Sequence, residues 1–269
     1  MTQPDKAAVR DAVLSDLAAE SLQLDSWVAG LPAAGWETVT TPEGWTVAHQ
    51  IAHLHWTDQA SLAAITDQEE FGRTMLIAAA DPDGYIDEAT EQMALIPPTE
   101  LLASWREGRV ALDAALRGVP EGEKIPWYGP PMSPTSMATA RIMETWAHGH
   151  DVGEALGLTI PRTSRAKHVC HIGVRARGYA YTVRGEQVPD VDVRVELTGP
   201  DGDLWTWGPE DAPERVTGSG YDFALLATRR RHPEDVDVRA EGDNAAHWLT
   251  IVQAFAGMPG NDPARLSDR

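Results

Sequence analysis

The stretch SMATARIMETWAHGHDVGEAL, residues 136–156, decides the fold, because it predicts a long helix that ends at Gly157. Three more long helices are predicted before it. The first covers residues 5–30 and has apolar residues at a spacing of three to four. The second runs from Val47 past Leu62 and is capped by Thr46, and the third runs from Glu100 to Leu116. Four long helices are what a helical bundle requires. The first half of the chain is therefore predicted to be a four-helix bundle.

Two segments interrupt the predicted bundle. Residues 81–84 (Asp-Pro-Asp-Gly) have the composition of a turn, and residues 118–135 are rich in proline and glycine. A loop as long as the second is often functional in a compact domain. Two interpretations of its side chains Trp127, Tyr128 and Met132 stay open at this point: they line an apolar ligand pocket, or they plug the end of the bundle.

The pattern of the chain changes after Pro161. Strict alternation of apolar and polar residues from Val191 to Leu197 predicts a half-buried strand. Around it we predict short strands and helices: helices at 164–183, 221–228 and 244–255, and strands at 204–207, 215–217 and 236–239. The predicted fold class is therefore α+β, with a helical bundle over residues 1–160 and an α+β domain over residues 161–269.

Composition excludes several classes of function. Hydrophobic residues make up 42% of the 269 and charged residues 23%, the balance of a folded chain rather than a disordered one. A formal net charge of -19 argues against binding to nucleic acid or to an anionic membrane surface, because both partners are negatively charged. The expected partner is a small molecule. The sequence does not predict an oligomeric state.

The expected location is the cytoplasm. The first thirty residues are charged throughout, which is unlike a signal peptide, and no stretch reaches the roughly 20 apolar residues that a membrane span needs. Cys170 is the single cysteine, so no internal disulfide can form. Its neighbours are those of an ordinary helical turn, so a role as nucleophile is not expected.

Five of the nine histidines fall in two short helical windows, at positions 49, 53, 55, 148 and 150. Glu144 and His148 are four residues apart, so both side chains project from one face of a helix, and His49 and His53 share that spacing. Facing helices could combine these groups into a Zn²⁺ site of two histidines and one glutamate with an open fourth position. Spacing alone equally allows the histidines to be polar partners inside the bundle.

Two motifs resemble a known family. The segments GWTVAHQIAHL (residues 44–54) and METWAHGHDVGEALG (residues 143–157) are similar to the metal-binding helices of DinB-like proteins, in particular the mycothiol-dependent maleylpyruvate isomerase family. Family members combine a DinB-like four-helix bundle with a C-terminal α+β domain of sterol-carrier-like character. The resemblance thus covers nearly the whole chain. It implies that His53, Glu144 and His148 hold a divalent metal, expected to be Zn²⁺.

The resemblance is imperfect at two places. His49 stands where the family more often has Asp, and it is a candidate for a supporting, ligating, substrate-contacting or packing role. The segment YDFALLATRRRH (residues 221–232) resembles the family helix that ends in a functional Arg, and Arg230 is the best match, with Arg229 the second choice. The family usually has Gly directly before that Arg. Arg230 is therefore either a substrate-carboxylate ligand or a cation that favours a helix C-terminus.

Three functions are compatible with these motifs. In the first, the resemblance implies a metal-dependent transferase or isomerase that uses mycothiol, a small thiol of actinobacteria, to attack an electrophile. In the second, the metal activates water for hydrolysis or acts as a Lewis acid in a rearrangement or cyclisation. In the third, the chain binds metal and a small molecule without catalysis. That third function is disfavoured because a closed structural site needs four protein ligands, and only His49 or Asp58 is near enough to complete one.

Overall fold

The chain separates into two units at the junction of Ile160 and Pro161. The structure is a computed structural model, and it describes residues 5–81, 84–258 and 263–268. The first unit is helical and the second combines a small mixed sheet with helices, so the α+β fold class is confirmed. No helix in these described ranges is both long and apolar enough to cross a membrane.

Seven helices occur in the described part of the first unit. Their bounds in chain order are α1 Lys6–Val28, α2 Ala33–Trp36, α3 Val47–Thr66, α4 Gln68–Ala80, α5 Gly84–Ala94, α6 Pro98–Gly118 and α7 Pro134–Ala155. The four long helices of the prediction correspond to α1, α3, α6 and α7. The helix starts follow local chemistry: Asp5 accepts a hydrogen bond from the Ala7 N–H, and Ser133 accepts one from the Ser136 N–H ahead of α7.

The helices α4 and α5 were not predicted from the sequence. Each buries little apolar surface, because only Phe71 and Ala78 of α4 and Thr90 of α5 are fully buried. Both helices are also short, with 13 and 11 residues, which leaves few turns over which an apolar spacing can repeat. The predicted turn at residues 81–84 falls partly outside the described residues.

The long helix α3 lies at the centre of this unit and packs against α4, α5, α6 and α7. Its first half joins one apolar cluster, through Val47 and Ile51, and its last turns join a second cluster through Ala64. Between them, α3 buries polar side chains, among which are Thr57 and Asp58. Two apolar clusters therefore flank a polar middle section of the same helix.

A buried ion pair occupies that middle section. Asp58 is fully buried, and its Oδ2 lies 2.5 Å from Nε of Arg109 on α6. The same guanidinium donates hydrogen bonds to Oγ1 of Thr145 on α7 at 2.8 Å and to Oγ of Ser21 on α1 at 3.1 Å. One arginine thus links four helices of the bundle.

The second unit contains a four-stranded sheet with the strand order β2-β1-β3-β4. The strands β1 and β3 are parallel, with Val195 opposite Val216, and the two outer strands pair antiparallel to them. The bounds are β1 Val193–Thr198, β2 Leu204–Trp207, β3 Glu214–Ser219 and β4 Val238–Glu241, with helices α8 Ala166–Arg175, α9 Arg177–Thr182, α10 Gly220–Ala227 and α11 Asp243–Ile251.

Several predicted elements of this unit have different bounds in the structure, and three of them show why. The single helix expected over residues 164–183 is two helices, because the backbone leaves helical geometry at Ala176 (φ -84°, ψ 6°). The strand expected at 236–239 begins two residues later, since residues 233–235 form a 3-10 turn. The last helix stops at Ile251, after which Val252 is extended yet buried. Buried apolar residues had suggested a longer helix there.

We expect the Asp58 ion pair to be the most costly polar contact to break. Asp58→Ala leaves the Arg109 guanidinium buried without its counter-ion, which costs on the order of 3–5 kcal/mol in free energy of unfolding. The matched change Asp113→Ala removes an exposed partner of Arg117 and costs less than about 1 kcal/mol. Urea unfolding of the full chain measures both. Equal losses in the two variants would contradict this ranking.

Candidate metal centre

Helices α3 and α7 bring three predicted ligands together. Oε2 of Glu144 lies 3.3 Å from Nε2 of His148 and 3.7 Å from Nε2 of His53. The two imidazole rings are 4.6 Å apart between centroids. One potential ligand atom from each of the three residues lies within 4.8 Å of the others. The side chains are 13%, 19% and 11% exposed for His53, Glu144 and His148, so the cluster is enclosed but still reaches solvent.

The separations fit a small divalent ion. Nitrogen and oxygen ligands lie about 2.0–2.2 Å from Zn²⁺, which places two ligands of a tetrahedron about 3.4 Å apart. The two distances to Glu144 fall on either side of that value. Neither His49 nor Asp58 belongs to the cluster found in the described residues. The three residues therefore offer an incomplete shell with an open position, the arrangement of catalytic rather than closed structural sites.

Hydrogen bonds orient the His148 ring. Its Nδ1 lies 2.5 Å from Oε1 of Gln50, whose Nε2 donates to Oγ1 of Thr40 at 2.8 Å. An amide oxygen only accepts, so Nδ1 of His148 carries a proton, and Nε2 is the nitrogen that faces Glu144. Ligating histidines are usually held in this way through their second nitrogen. Sequence analysis missed Gln50, although it lies one turn before His53 on α3.

The Glu144 carboxylate is kept ionised. Burial on its own raises the pKa of Glu144, but hydrogen bonds from His148 and His53 and the positive charge of Arg141 outweigh it. The result is a pKa well below the usual range for a glutamate. A metal ligand must be deprotonated, so this carboxylate is ready to bind a cation at any ordinary pH.

His49 has partners other than the three clustered residues. Its Nδ1 accepts a hydrogen bond from the Thr46 N–H at 3.2 Å, and its Nε2 lies 3.2 Å from Oε2 of Glu91 on α5. It caps the first turn of α3. Because both nitrogens are engaged, the geometry favours this capping role over the ligating alternative.

The remaining candidates for chemistry in this region are packing residues. The His55 ring is buried, and burial lowers its pKa. His150 lies over Trp146, with ring centroids 4.0 Å apart. In the second unit Cys170 is fully buried and donates to the Gly220 carbonyl, and burial raises the pKa of its thiol. Such a thiol is a poor nucleophile.

Aromatic rings line one side of the cluster. Trp45 stacks on His148 at 5.9 Å and lies 5.4 Å from the ring of His53. Trp56 lies 6.1 Å from the ring of His53 and stacks on Tyr128 of the long loop. Sequence analysis missed both tryptophans, although Trp45 belongs to the first motif and Trp56 follows His53 by three residues, close to its face of α3.

The aromatic and Met side chains of the loop over residues 119–133 all pack against one apolar cluster but have different neighbours. Tyr128 reaches the cluster through Trp56, whereas Trp127 stacks on Phe71 and covers the guanidinium of Arg141 at 5.1 Å. Met132 pairs its backbone with Ile125 and packs against the apolar cluster near the end of the bundle. Tyr128 therefore borders the site, while Met132 contributes to the core.

Arg230 follows α10 in the second unit. Its Nη1 donates to the Thr228 carbonyl at 2.7 Å, as expected for a cation at a helix C-terminus. The preceding Arg229 has a left-handed backbone (φ 59°), the conformation that glycine adopts most readily.

Comparison with known proteins tests the resemblance. The model of the mycothiol maleylpyruvate isomerase N-terminal domain matches residues 17–153, just over half of the chain. The chain belongs to the mycothiol-dependent maleylpyruvate isomerase family. Both motifs of the metal centre are covered by the match, apart from the last residues of the second. A separate family model, described as wyosine base formation, matches residues 189–241 in the second unit.

Relatives and solved structures agree with this membership. Two curated relatives, uncharacterized proteins from two strains of Mycobacterium tuberculosis, are 52% identical over 247 residues, covering 92% of this chain and 96% of theirs. The crystal structure of the mycothiol-dependent maleylpyruvate isomerase superposes with a TM-score of 0.59 at 16% identity, covering 88% of this chain and 95% of that one. A histidine mutant of that enzyme gives 0.57 at 15% identity over the same shares. At such identities the two structures show a shared fold.

The hydrogen bond from His148 to Gln50 predicts a measurable effect on metal affinity. Gln50→Leu removes the acceptor that orients the imidazole, so we expect zinc affinity to fall by about 10–100-fold. Gln59→Leu is the matched control, because Gln59 lies on the same helix about half a turn around from Gln50. Competition with a chromogenic chelator measures both variants. Unchanged zinc affinity in Gln50→Leu would show that this hydrogen bond does not support the site.

Proposed function

We propose that the chain is a metal-dependent transferase or isomerase that uses mycothiol against a small electrophilic substrate. The observation that carries the proposal is the convergence of His53, Glu144 and His148 into a partly exposed cluster with an open side. Membership of the mycothiol-dependent maleylpyruvate isomerase family supports the same conclusion. The fold alone would not, because one fold hosts many reactions.

His53, Glu144 and His148 are the residues that would hold the metal, with Zn²⁺ the preferred ion for this donor set. When bound there, such an ion lowers the pKa of a thiol or water that occupies its open position. The chain's own residues prepare the site: Glu144 supplies a negative charge, and Gln50 fixes the tautomer of His148. Trp45 and Trp56 limit access of water from one side.

The thiol has to come from a ligand. Cys170, the single cysteine, is fully buried and its pKa is raised, so it cannot supply a reactive sulfur. A thiolate suits a borderline-soft ion such as Zn²⁺. The relatives at 52% identity come from Mycobacterium, a genus of actinobacteria, and this origin supports mycothiol as the thiol.

Arg230 is the basic residue that we propose for contact with a substrate carboxylate. A guanidinium binds a carboxylate through two parallel hydrogen bonds, which gives both affinity and orientation. Arg229 has the left-handed backbone that glycine adopts most readily, and the family usually has Gly directly before its functional Arg. This supports the correspondence of Arg230 to that Arg. Its hydrogen bond to Thr228 holds the side chain near the end of α10.

Metal analysis of purified variants tests the ligand set. We expect the wild type to retain about one zinc ion per chain after dialysis. His53→Ala, Glu144→Ala and His148→Ala should each retain less than about a tenth of that, because each removes a ligand from a shell of three. His49→Ala is the matched control on the same helix and should keep its metal, since His49 contacts Thr46 and Glu91. Full zinc in all three ligand variants would refute the site.

Mycothiol binding separates this proposal from a thiol-independent metalloenzyme. We expect calorimetry to detect mycothiol binding to the zinc-loaded chain and a loss of at least about tenfold in affinity after the metal is removed, because the thiolate needs the cation. Cys170→Ser should bind as the wild type does. No binding at millimolar mycothiol to a fully zinc-loaded chain would favour hydrolysis or Lewis-acid chemistry instead.

A further inference from the structure

The side of the metal centre formed by the bundle is a surface of aromatic rings. We define the aromatic wall as Trp45, Trp56, Tyr85 and Tyr128. Trp45 lies over His53 and His148, and Trp56 continues the row beyond His53. Trp56 then contacts Tyr128 by stacking at 6.1 Å and Tyr85 edge-on at 6.0 Å. The ring of His53 thus links Trp45 to the other three rings, which are joined to one another through Trp56.

The wall is partly accessible. Trp56 is nearly buried, whereas Trp45, Tyr85 and Tyr128 are half-buried and keep part of their surface open. The four rings come from four segments: the residues before α3, α3 itself, the start of α5 and the loop before α7. Half-buried rings beside a partly exposed ligand cluster form a surface that a flat molecule can cover.

The guanidinium groups nearest the cluster are buried and engaged by other side chains. Arg109 and Arg141 both act electrostatically on Glu144, but Arg109 is held by Asp58 and Thr145. Arg141 is 3% exposed and lies under the ring of Trp127. Glu91, which lies next to His49, is exposed and negatively charged. Neither guanidinium is therefore placed to bind an anionic group, and the rings beside the cluster favour an apolar one.

These observations identify a class of ligand. We propose that the electrophile used at this centre carries a flat, conjugated, apolar group that stacks on the aromatic wall, chiefly on Trp45. The inference rests on the proposed function for the presence of an electrophile, but the stacking surface belongs to the chain itself.

Calorimetry with two uncharged probes tests the inference. The probes are cinnamamide, which is flat and conjugated, and 3-cyclohexylpropanamide, which has the same carbon skeleton and amide but is saturated. Because ring stacking contributes beyond buried area, we expect cinnamamide to bind the zinc-loaded wild type at least about fivefold more tightly. Equal affinities for the two probes, or no binding of cinnamamide, would overturn the inference from the wild type alone.

Three variants locate the binding. Trp45→Leu should weaken cinnamamide by about tenfold and remove its advantage over the saturated probe, whereas Trp45→Phe should keep most of it. Trp27→Leu is the matched control, because it removes a half-buried indole that packs on α7 at Gly149 and Gly153. Circular dichroism confirms that each variant is folded. Full cinnamamide affinity in folded Trp45→Leu would overturn the inference.

The same samples separate this inference from the proposed function. Zinc content and mycothiol binding are measured alongside, and the probe titrations are repeated on the metal-free chain. If the chain binds neither zinc nor mycothiol but keeps the Trp45-dependent preference for cinnamamide, the proposed function fails and the stacking surface stands. If zinc and mycothiol bind but the preference is missing, the stacking inference alone is wrong.

Discussion

The first unit depends on polar groups buried between α3 and its neighbours. Gln50 on α3 holds His148 on α7, and Asp58 on α3 holds Arg109 on α6, which in turn donates to Thr145 on α7. Polar side chains have far stricter distance and angle requirements than apolar ones. These contacts therefore set the register of the three helices along their length, and the distances between His53, Glu144 and His148 follow from that register.

Burying so much polarity is costly unless every group finds a partner. In the bundle, one apolar cluster contains Leu101 and Trp105, and another contains Leu14 and Leu112. The buried polar groups of α3 lie between these two clusters. Apolar packing in the two clusters stabilises the bundle, while the polar section between them holds the groups that can take part in chemistry. A site placed there is held from both sides by rigid helices, which suits a geometry that must be exact to fractions of an ångström.

Sequence patterns predicted those parts of the molecule that local signals specify. Long segments with spaced apolar residues, the cap residue Thr46 and the helix end at Gly157 predicted α1, α3, α6 and α7. The spacing of Glu144 and His148, with the family resemblance, predicted which side chains meet. The helices α4 and α5 were missed because they bury few apolar residues, and the bounds of the second unit shifted where buried residues continue in extended backbone. The supporting role of Gln50 and the rings of Trp45 and Trp56 depend on distances between segments, which no local pattern contains.

The candidate metal ligands and the aromatic wall come from different parts of the chain, and this difference affects how reaction and substrate are specified. The candidate ligands come from α3 and α7, the same helices that the buried polar contacts lock together. Two of the four rings of the aromatic wall come from connecting segments, since Trp45 precedes α3 and Tyr128 lies in the loop before α7. Connecting segments tolerate change far better than packed helices do. A chain built this way can keep one metal chemistry while its wall adapts to a different electrophile. Family membership is thus a better guide to the reaction than to the substrate.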